Sequence, residues 1–128
     1  MKTLAIVGVL YLCSGLWCAW QPELAAGFLG FALTGSMANS EFFSVYGGLQ
    51  VGLAVAMLCC SRITAYIEAG LFFSMMFSGT LFLFRLISLV FYGFEEGALV
   101  ALLLLEAAIA LALAITWRRA RAQTLNLR

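Results

Sequence analysis

Arg85 and Glu106 are the residues of this 128-residue chain best suited to chemistry, because each is an ionisable group inside a long apolar stretch. A charge at membrane depth is costly, so such a residue is usually paired or functional. Ser74, Ser78, Ser88 and Tyr92 share the face of Arg85 at helical spacing. Tyr46 and Gln50 lie four apart in an earlier apolar run, just after Glu41. Counting 1.5 Å per residue from Tyr92 and Gly97 puts Arg85 about 10 Å deep and Glu106 about 14 Å deep. Gln50 falls at a similar level, with Glu41 above it at the outer mouth. The expected site is a polar cluster of Glu41, Tyr46, Gln50, Arg85 and Glu106 in the outer half of a membrane bundle. Tyr46 and Gln50 are expected to satisfy each other and adjacent backbone, since a buried amide and hydroxyl need partners in lipid. The cluster suits a small-molecule or lipid site or a small carrier. A structural Arg85–Glu106 ion pair that fixes helix register is equally physical. Glu68 lies close enough to the inner end to snorkel or to meet Arg62 or the C-terminal arginines.

Other chemistries lack their residues. The chain has no His, which removes the commonest catalytic base and metal ligand. Cys13, Cys18, Cys59 and Cys60 show neither zinc-site nor redox spacing and read as small packing residues, with acylation of Cys59 or Cys60 the alternative. No metal, cofactor or catalytic residue is expected, and the chain does not read as an enzyme. A net charge of +1 gives no nucleic-acid surface. A small multidrug exporter would need a Glu in the first helix, which carries none. A disulfide-forming membrane enzyme would need paired outer cysteines, whereas Cys59 and Cys60 are expected inside. A dual-topology fluoride channel would show weak charge bias.

The elements that must hold the cluster follow from composition. Hydrophobic residues make up 65% of the chain and charged ones 10%, where soluble domains have about 45–50% and 25%. A water-soluble fold of this size could not hide that much apolar surface. The expectation is an all-α membrane protein: a single domain, residues 1–128, built as a four-helix bundle. A span needs about 20 apolar residues, and four segments supply them at about 3–20, 42–61, 63–92 and 97–117. Lys2 before the first run suits a signal peptide, but no clean small-residue cleavage site follows. Leu24 to Ser40 is uncharged but broken by glycines, so it reads as an outer loop or interfacial segment, with a fifth span as the competing reading.

Charge asymmetry sets orientation, because Lys and Arg beside spans favour the cytoplasm. With four spans, Lys2, Arg62, Arg118, Arg119, Arg121 and Arg128 share one side, while Glu23, Glu41, Glu95 and Glu96 share the other. Five spans would split Lys2 from the C-terminal arginines. Both termini are therefore expected in the cytoplasm, with the chain in a bacterial inner (plasma) membrane. Trp17, Trp20, Phe42, Phe43, Phe91 and Tyr92 fall at the outer ends, as an aromatic belt requires.

Gly48, Gly52 and Ala56 recur every four residues and form a smooth face for close helix packing, within the bundle or against a second copy. Together, Pro22, Asn39, Glu41, the Tyr46-Gly47-Gly48-Leu49 run, Arg85 with Leu86 and Ser88, and Leu105-Glu106 resemble a bacterial four-helix membrane family, domain of unknown function 4345. The resemblance spans nearly the whole chain. It departs at residue 43, which is Phe where a basic residue is expected, so no further outer ion pair is implied. It implies four membrane helices, a relation to DoxX-like proteins and no established activity. Three functions follow as expectations. The first is a membrane protein acting by helix packing or partner binding. The second is a carrier or ligand-binding protein using Arg85 and Glu106. The third, by analogy with DoxX-like proteins, is a redox or quinone-linked protein.

Overall fold

A computed structural model describes residues 1–93 and 97–126, with side chains described through Gln123. Glu95, Glu96 and Arg128, used in the charge count, lie outside the described residues. The structure is 92% helical, with no strand among the described residues, so any membrane crossing falls to helices. The order is α1 (Lys2–Trp20), α2 (Pro22–Phe28), α3 (Gly35–Phe42), a π-helical segment (Phe43–Leu49), α4 (Gln50–Arg62), a 3-10 turn (Thr64–Tyr66), α5 (Ile67–Tyr92) and α6 (Gly97–Asn126).

Four helical stretches are long and apolar enough to cross a membrane: Lys2–Trp20, Gly35–Arg62, Thr64–Tyr92 and Gly97–Gln123. Only 11–33% of each stretch's most apolar window is buried, so most of its apolar surface faces outward. Ile6, Phe84, Val90, Leu104 and Leu111 are among the exposed side chains. An apolar surface of that extent suits lipid as its solvent.

Two helices differ from the boundaries expected above. The second span begins at Gly35 and not near residue 42. Its first turns are polar and exposed, and Asn39 Nδ2 donates to the Gly35 carbonyl at 2.9 Å. Polar residues can therefore extend a helix beyond its apolar part. The last helix likewise runs past Trp117, where Arg121 lies over the Trp117 ring at 5.3 Å.

The chain divides into two compact units: residues 5–59, and residues 1–4 with 60–128. In the first, α1 and α4 run antiparallel along a seam of small residues. Gly8, Tyr11, Gly15 and Cys18 are buried at alternating steps of three and four, the spacing of one helix face, with Val7 buried beside them. A Cβ on Gly8 would meet Ala54, Met57 and Leu58 at 3.1–3.3 Å. On Gly15 it would meet Gly47, Gln50 and Val51 at 3.0 Å, and on Gly47 it would meet Ala19 at 3.1 Å. The two backbones approach closely because these positions carry little or no side chain.

The Trp20 end of this unit is closed by α2, which starts at Pro22, a residue pre-set for the first helical position. Gly30 and Gly35 take left-handed backbone, at φ 80° and 81°, around the non-helical link to α3. Cys18, Ala25, Ala26 and Phe42 form the buried core here, with Leu29, Leu33 and Tyr46 against it.

In the second unit, α5 and α6 form an antiparallel hairpin. Leu71 and Leu113 are fully buried, and the Phe72 and Trp117 rings meet at 5.5 Å. Gly70 lets α5 approach the end of α4, since a Cβ there would lie 2.6 Å from that of Cys60. The Thr3 and Thr116 hydroxyls meet at 3.2 Å.

Candidate functional site

Arg85 sits seven residues before the end of α5, and Glu106 nine residues after the start of α6. The antiparallel hairpin brings them level, and they join directly. Arg85 Nε donates to Glu106 Oε2 at 2.6 Å, and Nη2 donates to Oε1 at 2.7 Å. This two-pronged geometry is the strongest form of the pair and fixes both separation and rotation. Glu106 is buried, with 11% of its side chain exposed against 24% for Arg85. Ser88 Oγ donates to the Arg85 carbonyl at 2.7 Å, a local back-bond that satisfies the hydroxyl within its helix.

The same face of α5 carries Ser74 and Ser78, each 1% exposed, whereas Tyr92 at the helix end is exposed. Ser74 Oγ is buried with no hydrogen-bond partner among the described residues. A buried hydroxyl left in that state costs stability and marks a place where polarity has been retained.

Glu41, Tyr46 and Gln50 belong to the other unit. Glu41 is exposed on α3. Tyr46 stacks on Phe42 at 4.7 Å and meets Phe31 edge-on at 5.5 Å, so its ring completes an aromatic group. The Gln50 amide oxygen is buried and has no partner among the described residues. The expected Tyr46–Gln50 pairing is therefore corrected. Between them runs the π segment, with i→i+5 bonding, so a spacing of four no longer brings two side chains onto one line.

The smooth face of Gly48, Gly52 and Ala56 is exposed. A Cβ on Gly52 would meet nothing within 4 Å, and on Gly48 only the Phe43 carbonyl at 3.9 Å. Close packing within this unit uses Gly8, Gly15 and Gly47 instead. Their signal was present in the sequence, since Gly8 and Gly15 stand seven apart, with Tyr11 between them and Cys18 again seven beyond Tyr11. A stripe that repeats every seven residues stays on one face, as one that repeats every four does not.

Among the described residues, no group of three His, Cys, Asp or Glu side chains comes together to hold a metal. No family model, curated protein or solved structure matches this chain. The arrangement itself must carry the functional reading. Chemically, it offers a guanidinium and a carboxylate that neutralise each other between two helices long and apolar enough to cross a membrane.

Proposed function

We propose that this chain is a multi-pass protein of a bacterial inner membrane, with both termini cytoplasmic, that acts through helix packing or partner binding and not as an enzyme. The observation that carries this reading is the closed Arg85–Glu106 fork. Both carboxylate oxygens are engaged by the guanidinium, so the pair presents neither a free base nor a free acid. Its chemistry is that of a clamp within the α5–α6 hairpin. Four spans, with Lys2, Arg62 and the C-terminal arginines together on one side, support the orientation. The resemblance to domain of unknown function 4345 implies the same four-helix arrangement.

A second reading rests on the unequal exposure of the pair. Arg85 keeps about a quarter of its side chain uncovered, so an anionic or carbonyl-bearing small molecule or lipid can compete for its guanidinium. On that reading Arg85 and Glu106 are binding residues, and the function is that of a carrier or ligand-binding protein.

The double variant Arg85→Leu/Glu106→Leu separates the two. A clamp can be replaced by apolar contact, so the expected result is a folded membrane protein that still complements a deletion strain. A folded double variant that fails to complement favours the binding reading instead. Orientation is checked by labelling Lys2→Cys and Arg128→Cys in intact cells. Modification by an impermeant reagent from outside would overturn the assignment of both termini to the cytoplasm.

A further inference from the structure

The Trp20 end of the first unit carries an apolar surface that the bundle does not use. Trp20 is 86% exposed, Leu24 62%, Phe28 50% and Met37 73%. Trp20 ends α1, and beyond the non-helical Gln21 the residues Leu24 and Phe28, four apart, line one side of α2. Its other side, Ala25 and Ala26, is buried against Cys18 and Phe42. Small residues inside and large ones outside is the reverse of a helix that seeks water.

Two environments are unsuitable for this stretch. Water would leave a run of large apolar and aromatic side chains wetted. The hydrocarbon core would strand the non-helical backbone between α2 and α3, and would desolvate Gln21, Glu23 and Asn39, all exposed. The interface between the two satisfies both halves of the segment, and Trp is the residue most at home there. Charge narrows the choice of surface. No Lys or Arg occurs between Lys2 and Arg62, whereas Glu23 and Glu41 are both exposed. An anionic lipid surface would repel this segment, while a zwitterionic one offers ammonium groups to the two carboxylates.

We propose that residues 20–43 form an anchor seated in the headgroup zone of the outer leaflet, with a zwitterionic lipid surface as its partner. The proposal rests on the four-span reading above and adds where this segment lies and which lipid it meets. The test uses the full chain with Trp17→Phe and Trp117→Phe, leaving Trp20 as the sole tryptophan, in phosphatidylcholine vesicles. Nitroxide-labelled lipid is added with the label either near the headgroup or at the chain end. Expected is loss of Trp20 emission mainly with the shallow label, little loss with aqueous iodide, and weaker shallow quenching in phosphatidylglycerol vesicles. Quenching by iodide but by neither lipid label would put the segment in water and overturn the proposal. Quenching chiefly by the chain-end label would place it in the hydrocarbon core and overturn it equally. Stronger shallow quenching in phosphatidylglycerol would overturn the choice of lipid surface. Protein that fails to float with the vesicles would sink the four-span reading itself, which separates the two failures.

Discussion

The α1–α4 seam and the α5–α6 hairpin hold helices together by different means. Lipid tails are as apolar as leucine, so burying apolar surface contributes little to helix association in a membrane. The seam responds with proximity. Gly8, Gly15 and Gly47 bring two backbones close enough for many weak contacts, with no charge among the side chains lining it. The hairpin responds with directionality, placing one charged fork between helices whose other contacts are bulky, such as Phe72 with Trp117. Proximity tolerates no added volume. Directionality tolerates no missing partner. The two regions should therefore fail under opposite substitutions.

The largest effect is expected from breaking the fork. Arg85→Leu or Glu106→Leu alone strands the other charge, which typically costs about 3–5 kcal/mol. The double change should cost less than the sum of the two, since their interaction is counted twice in the singles. Thermal or denaturant unfolding in detergent measures all three variants, and simple additivity would mean the pair contributes no coupling. Next comes Gly15→Leu. Its side chain must enter where a Cβ already lies 3.0 Å from Gly47, Gln50 and Val51, so a loss of about 1–3 kcal/mol is expected from overpacking. An unchanged midpoint would show that the seam opens freely.

Smaller effects sharpen the contrast. Thr116→Val removes the hydroxyl contact to Thr3 together with the local bond that Thr116 Oγ1 donates to the Ala112 carbonyl at 2.6 Å, and should cost about 0.6 kcal/mol, the average for hydrogen bonds between membrane helices. Gly52→Leu should leave unfolding within about 0.5 kcal/mol of the parent, because its added side chain enters open space. The same variant, sized by light scattering, asks whether a second copy uses that face. Loss of a dimer with no loss of monomer stability would assign the face to self-association.

The sequence made the coarse architecture legible because the bilayer imposes a simple length rule, and four apolar runs meet it. Arg85 and Glu106 were readable for the same reason, since charges are conspicuous in a chain with so few. The glycine seam was harder to read. Gly48, Gly52 and Ala56 form the more visible repeat, while Gly8 and Gly15 need a partner helix before their spacing has meaning. The start of the second span was missed because Thr34, Gly35 and Ser36 look like breakers until Gly35 is seen to accept a bond from Asn39. The Tyr46–Gln50 pairing failed on a backbone feature that no side-chain pattern announces.

That feature, the π segment at Phe43–Leu49, makes chain length a structural variable. A π turn holds one residue more than the α turn it replaces, so the helix carries a phase step. Removing any single residue inside the segment would close the step, and α3 would swing about 100° around the helix axis relative to α4. Phe42, now buried, would be aimed elsewhere, and Glu41 with it, although no side chain outside the segment had been altered. The direction in which the Trp20 end faces is thus set by a count of residues, and a one-codon insertion or deletion there acts as a rotation.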